Sequence, residues 1–349
     1  MDKNSKIYLA GHHSMIGSAL WNSLQASGYN NIVGFPEKSP ELLDTVAVKK
    51  FFSKEKPEYV ILAEACIGEF HRDEIYRADI IFRNLQIQNT IIGECFRNKV
   101  KKLIILGNIS IYPNDVQQPI KEEQLLTSSL NYKNEPYAIA KIAAIKMCES
   151  FNLQYRTNFL VATTANIYGP HDNFDLKESH VIPALIRKIH IAKCLSENNW
   201  STLQKDLERR SIDNVNGSST LDELISTLQK FGISSHYIEL RGSGKPMREF
   251  MWSGDLANAC VFMLNNVDNT DGCNFNIGTG KEISIRKLAE LVADIIGYSG
   301  RLKFSPSIPN ERMNNLVDIT KINNKGWNYS TDLEEGIFLL YQWYLKDQE

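Results

Sequence analysis

The chain has no surplus of either charge. Its 349 residues carry 39 Lys and Arg against 41 Asp and Glu, a net charge of −2. That balance excludes the broad basic face with which nucleic-acid binders meet phosphates and leaves room only for a local anion site. The six cysteines (Cys66, Cys95, Cys148, Cys194, Cys260 and Cys273) form no CxxC pair and no regular spacing. A zinc site or a disulfide framework is therefore not expected, and the thiols read as reduced and mostly buried in a cytoplasmic protein. No stretch approaches the roughly 20 apolar residues of a membrane span. The apolar run in MDKNSKIYLAGHH is too short for the core of a signal peptide. Internal repeats and low-complexity segments are missing too.

What is present is ordinary globular material, 43% apolar and 23% charged, enough for a sizeable core. The length points to one large domain plus a smaller lobe. KIYLA (Lys6–Ala10) is a short β-rich run that meets Gly11, after which Met15–Ala26 is amphipathic. The alternation recurs, with strands near 31–35, 59–63, 102–106 and 158–162 and helices near 45–54, 79–99 and 137–152. Strands alternating with helices predict a Rossmann-type α/β fold, a doubly wound parallel sheet with helices on both faces. Residues 1–169 are assigned to this cofactor-binding domain and 170–349 mainly to a smaller substrate lobe sharing elements with the sheet. In that second half, 180–193 reads as a helix, 236–241 as a strand, FNIGTG (Phe275–Gly280) as a turn and 285–296 as a helix. The polar stretch 195–235, with helical pieces at 202–209 and 221–231, is open as a lid, an oligomer contact or a surface excursion.

The segment Gly11-His12-His13-Ser14-Met15-Ile16-Gly17 lies between the first strand and the first helix. Glycines there permit a tight turn and close backbone approach, and the helix N-terminus offers N–H groups to a pyrophosphate. Ser14 stands where a middle glycine is expected, so its φ should be negative. No carboxylate ends the second strand to bind a ribose 2′-hydroxyl; Lys38 could meet a 2′-phosphate, with Glu37 opposing it. The reading favours NADP over NAD.

Tyr137-Ala-Ile-Ala-Lys141 opens a helix, and the four-residue spacing stacks both side chains on one face. An ammonium beside a phenol favours the phenolate, so Lys141 is expected to lower the Tyr137 pKa. Such a phenol is a usable acid toward an alkoxide forming from a ketone.

Together AGHHSMIGSAL, LLDTVAV, GNISIYP, YAIAK, NIYGPHDNF, ESHVIPALIRKIH, GSGKPMREF and FNIGTG resemble the extended short-chain dehydrogenase/reductase superfamily, and within it the GDP-L-fucose synthase family. The resemblance covers nearly the whole chain except about 195–235. YxxxK and the glycine turn mark the superfamily; NIYGPHDNF, SHVIPAL and PMREF are more specific. It implies epimerisation of a GDP-4-keto-6-deoxymannose at C3 and C5, then NADPH-dependent reduction at C4. Tyr137 would protonate the C4 oxygen and Lys141 would hold the nicotinamide ribose. His180 takes the place of the family's epimerisation acid. The cofactor set implied comprises Gly11, His12, Ser14, Met15, Ile16, Gly17, Lys38, Ala63, Tyr137, Lys141 and His180. Arg248 is expected at the substrate pyrophosphate, with Asn166, Arg187, Lys188 and Arg241 as further substrate residues; Arg241 stands where the family often has an aromatic. A homodimer built on two helices per subunit is implied as well.

The departures lie in Gly107-Asn108-Ile109-Ser110-Ile111-Tyr112-Pro113. Asn108 replaces a serine that hydrogen-bonds the ketone, and Ser110 replaces the epimerisation cysteine. An amide N–H can still donate to a carbonyl oxygen. An alcohol cannot stand in for a thiol of pKa near roughly 8.5 as a base at neutral pH. The expectation is a C4 ketoreductase of a GDP-4-keto sugar, a 6-deoxy hexose or a heptose, that has lost most or all epimerase activity. A complete GDP-L-fucose synthase and a non-catalytic dinucleotide-sensing protein are the alternatives, and the Tyr137–Lys141 pair argues against the sensor.

Overall fold

The computed structural model describes residues 1–34, 39–64, 76–305 and 315–347. In chain order its elements are β1 (Ile7–Ala10), α1 (Met15–Ala26), β2 (Ile32–Val33), α2 (Thr45–Glu55), β3 (Tyr59–Leu62), α3 (Arg77–Arg97), β4 (Lys102–Asn108), α4 (Glu135–Tyr155), β5 (Phe159–Thr164) and β6 (Asn166–Tyr168). There follow α5 (Val181–Ser196), α6 (Trp200–Arg209), α7 (Leu221–Lys230), β7 (Tyr237–Arg241), β8 (Met247–Arg248), β9 (Phe250–Trp252), α8 (Ser253–Asn266) and β10 (Asn274–Ile277). The chain ends with β11 (Ile283–Ser284), α9 (Ile285–Ile296), β12 (Arg301–Ser305), α10 (Thr320–Asn323) and α11 (Leu333–Lys346).

These elements form two compact units. The first is 1–167, 249–281 and 316–330; the second is 168–248, 282–315 and 331–349. The expected boundary at 169 thus lies two residues beyond the first crossing, and the second half returns twice to the first unit. The reason for one return is β10. FNIGTG was expected as a turn, but its first residues form a strand parallel to β5, pairing Phe275 with Ala162 and Ile277 with Thr164. Two glycines mark the end of that strand, and its interior residues Asn274–Ile277 are all buried.

The first unit is built on a six-stranded sheet of order β10-β5-β4-β3-β1-β2, every pair parallel. Alternate strand residues face opposite sides. Tyr8, Val60, Leu62, Leu103 and Ile105 join one apolar cluster with Val48, Phe52, Ile91 and Ile145 of α2, α3 and α4. Ile7, Leu9, Ile61, Ile104 and Leu160 join the other with Leu20 and Leu24 of α1 and Leu256 and Cys260 of α8. Burial of both sheet faces explains the near-continuous apolar runs of these strands. Order reverses between β1 and β3, and in such sheets ligands bind beyond the strand ends at that point.

The second unit packs α5 against α6, α9 and β7, with β12 parallel to β7 and α11 against α9. The polar stretch 195–235 is fastened into this unit. Asp206 of α6 is wholly buried and pairs with Arg187 of α5, while Arg209 and Arg210 both bond Asp347. No helix among the described residues is long and apolar enough to cross a membrane.

Candidate active site

In the first unit the turn after β1 has the shape the sequence predicts. Gly11 has φ +96°, and a Cβ there would stand 2.7 Å from the backbone nitrogen of Glu64. Gly17 packs so close that a Cβ would lie 1.9 Å from the Gly11 carbonyl oxygen. Neither position admits a side chain without moving backbone. Ser14 has φ −73° and is the N-cap of α1: its hydroxyl donates to the Gly11 carbonyl at 2.9 Å and accepts from the Gly17 N–H at 3.0 Å. A serine therefore replaces the middle glycine by capping the helix that a glycine would merely permit. Met15 and Ile16 begin α1, half-buried. His12 is half-buried, its ring 3.7 Å from that of His13; burial first, then His13, lowers its pKa and keeps it neutral. Ala63 follows β3 at the reversal of strand order, its N–H donating to the Ala10 carbonyl at 2.9 Å. Lys38 lies outside the described residues.

Tyr137 and Lys141 occupy the first turns of α4, whose Pro136 supplies a preset φ where no N–H is needed. Lys141 is buried, and its Nζ donates to the Leu106 carbonyl of β4 at 2.8 Å while lying 5.6 Å from the centroid of the Tyr137 ring. The expected direction of the Tyr137 shift is corrected here. Burial raises the phenol pKa above its ordinary value, with the ammonium 5.6 Å from the ring centroid. Burial thus favours the neutral phenol, which keeps a proton to give but is a weaker acid than a free tyrosine.

Asn108 ends β4 and caps the short 3₁₀ turn Ile109–Ile111: its Oδ1 accepts the Ser110 N–H at 2.9 Å. That bond fixes which end of the amide is which, leaving the Nδ2 hydrogens as its donors. The Ser110 Oγ is buried without a hydrogen-bond partner among the described residues. Asn166 of β6 donates to the Glu249 carbonyl oxygen at 2.9 Å. Glu249 itself escaped the sequence reading. It is fully buried, and its carboxylate accepts from the N–H groups of Thr279, Gly280 and Val317, at 2.5, 2.8 and 3.0 Å. The only sequence signal was an acid inside PMREF, flanked by residues that become strands.

In the second unit His180 is the N-cap residue of α5, with φ −65° and ψ 166°, but its side chain does not cap. The imidazole is half-exposed, its Nδ1 3.5 Å from Asp172 Oδ1. The expectation for Arg187 is corrected. Its side chain is 0% exposed; Nε meets Asp206 at 3.1 Å, Nη1 donates to the Phe174 carbonyl at 3.1 Å and Nη2 to that of Arg210. A guanidinium committed in this way braces α5 against α6 instead of meeting a pyrophosphate. Lys188 is half-buried, donating to the Phe231 carbonyl at 3.2 Å. Burial first and then the charge of Arg241 lower its pKa. Arg241 is exposed on β7, and Arg248 of β8 donates to its neighbour Met247's carbonyl at 2.7 Å. A cavity of about 520 Å³ in this unit is bordered by His171, Arg187, Arg209, Arg210 and Trp343, but its arginines are ion-paired internally.

Comparison with known proteins agrees with this geometry. Residues 7–278 match the NAD dependent epimerase/dehydratase family. GDP-L-fucose synthase 1 of Arabidopsis thaliana is 39% identical over 99% of this chain and 95% of its own. A GDP-6-OMe-4-keto-L-xylo-heptose reductase from C. jejuni superposes with TM-score 0.91 at 41% identity, covering 100% of this chain and 99% of that one. A GDP-mannoheptose C4 reductase from Campylobacter jejuni, solved with NADP bound, gives TM-score 0.89 at 41% identity and 99% coverage of both chains. The chain belongs to the NAD dependent epimerase/dehydratase family, as an oxidoreductase related along its whole length to the GDP-L-fucose synthases.

Proposed function

We propose that this protein is an NADPH-dependent C4 ketoreductase of a GDP-4-keto sugar, a 6-deoxy hexose or a heptose, with the 3,5-epimerase function of the GDP-L-fucose synthases lost. The observation that carries it is the 108–110 turn. Asn108 retains N–H donors for a ketone oxygen, whereas among the described residues the buried Ser110 hydroxyl has no group bonded to it that could take its proton. A carbonyl can be polarised there, but a carbon acid cannot be deprotonated at neutral pH.

The glycine turn fits a dinucleotide: its two glycines leave no room for a Cβ, so backbone N–H groups at the start of α1 face a pyrophosphate closely. NADPH, when bound, supplies the hydride. The chain's own work is the proton. Tyr137, kept protonated by burial, delivers it to the C4 oxygen, and Lys141, fixed on the Leu106 carbonyl, holds the cofactor ribose and offsets the negative charge left on Tyr137. Lys188, Arg241 and Arg248 supply positive charge for the GDP pyrophosphate. Phe82 and Ile139, exposed on α3 and α4, support a homodimer through those helices.

The test is incubation with a GDP-4-keto sugar in D₂O, without NADPH. The expected result is no deuterium at C3 or C5, alongside NADPH consumption when a pre-epimerised substrate and cofactor are supplied. Deuterium entering at the rate of a working GDP-L-fucose synthase would sink the reading.

A further inference from the structure

We infer that Tyr112 is a positioning residue for the 108–110 turn: its hydroxyl, held between Asn274 and Asn276 of β10, fixes the end of the turn and with it the place of the Asn108 amide. The step from a fixed amide to turnover rests on the proposed reductase function; the anchoring does not.

The turn is pinned at both ends. At its start Asn108 closes β4 in register with Thr164 of β5, and its Oδ1 accepts the Ser110 N–H. At its end the Tyr112 N–H donates to the Ile109 carbonyl at 3.1 Å, and the Tyr112 side chain is buried. Its hydroxyl donates to Asn276 Oδ1 at 2.6 Å and accepts from Asn274 Nδ2 at 3.3 Å. The two asparagines stand two residues apart on one strand and so share a face.

The hydrogens of this buried chain run one way. Thr163 Oγ1 donates to Asn274 Oδ1 at 2.6 Å, Asn274 to Tyr112, and Tyr112 to Asn276. Asn276 Nδ2 then donates to the carbonyls of Ile120 and Asp318, at 2.9 and 3.3 Å. Those carbonyls can only accept, so they set the direction of every bond before them. Gly107 makes room for the first link, since a Cβ there would stand 2.8 Å from Thr163 Oγ1. The strand carrying the anchors is itself held on the side away from β5. Glu122 Oε1 accepts the Asn276 N–H at 2.8 Å, and Lys321 donates to the Asn274 carbonyl at 2.5 Å. A satisfied buried chain resists displacement, because moving one member leaves its neighbours unpaired.

Tyr112→Phe keeps the ring in the apolar cluster with Ile109 and Ile111 and removes only the hydroxyl. Hydrogen exchange followed by NMR reads the anchoring without substrate. The N–H groups of Ser110 and Tyr112, both bonded within the turn, should exchange on the order of 10-fold faster, while those of Ile104 and Ile105 in β4 keep their wild-type rates. In steady-state kinetics with NADPH and a pre-epimerised GDP-4-keto sugar, kcat should fall on the order of 10- to 100-fold with KM little changed. In an Asn108→Ala background the same substitution should cost little more, because Tyr112 acts through Asn108. Thr163→Val cuts the chain at its first link; it should give the same pattern in smaller measure, and it carries the test if Tyr112→Phe does not fold. A tyrosine with a merely structural role would speed exchange across β4 as well, or add its loss to that of Asn108→Ala. Either result, or an unchanged kcat, overturns the inference. If wild type turns over no GDP-4-keto sugar, the proposed function fails, and exchange at Ser110 still decides the anchoring.

Discussion

Lys141 Nζ donates to the Leu106 carbonyl oxygen at 2.8 Å, so the lysine of α4 is tied to β4 two residues before Asn108. The tie holds the ammonium 5.6 Å from the Tyr137 ring centroid. Tyr137→Phe removes the proposed proton donor and leaves this tie intact. Turnover should fall on the order of 10²- to 10⁴-fold while NADPH affinity, followed by fluorescence titration, stays as in wild type. Retained turnover would show that another group protonates C4.

Ser110→Cys should restore a base. The serine Oγ is buried without a partner among the described residues, and the substitution changes only the chalcogen at that atom. A thiol reaches its anion far more readily than an alcohol. In D₂O the variant should wash deuterium into C3 or C5 of a GDP-4-keto sugar above the wild-type background, read by mass spectrometry.

Gly17→Ala puts a Cβ 1.9 Å from the Gly11 carbonyl oxygen, a backbone atom that cannot step aside cheaply. The expected cost is about 1–3 kcal/mol of stability by urea unfolding, as for other overpacked sites, together with lost NADPH binding.

Arg187→Met should act on stability rather than on substrate. It strips Asp206 of its buried partner, and breaking such pairs costs about 3–5 kcal/mol. Guanidinium chloride unfolding should show the loss, and replacing Asp206 by Leu in the same chain should recover part of it. A stable Arg187→Met protein with a raised KM for the GDP sugar would return this arginine to the substrate.

His190 gives the chain an acid-sensitive window. It is buried in the second unit, bonded to the Tyr341 hydroxyl at 3.0 Å, and burial lowers its pKa from 6.5 to about 4. The folded state therefore binds this proton less readily than the unfolded chain. The stability held above pH 6.5 is lost as pH falls toward 4, a loss of about 3 kcal/mol for this group alone. The difference in unfolding free energy between wild type and His190→Gln should change by that amount across the window.

Much of the first unit was legible in the residues. The amphipathic run 15–26 matches α1 to the residue, and KIYLA, 59–63 and 102–106 became sheet strands because β-branched and aliphatic runs bounded by turns have few other stable uses. The helical pieces inside 195–235 were legible from their apolar spacing. FNIGTG was not, since a four-residue strand ending in Gly-Thr-Gly carries the composition of a turn and becomes a strand only when β5 offers its edge. Nor was α8, or Glu249, whose meaning depends on three N–H groups from two distant segments.

The sequence by itself determined the alternation of strands and helices, the glycine turn, the Tyr137–Lys141 spacing and the presence of an alcohol at 110, because each is local and written in side-chain type and interval. Only the tertiary structure decided what burial does to a charge. It raised the Tyr137 pKa where a near neighbour alone would lower it, and it turned Arg187 from a phosphate ligand into a brace for Asp206. Desolvation and the count of available partners are properties of an environment assembled from residues far apart in the chain, and no interval along the sequence records them.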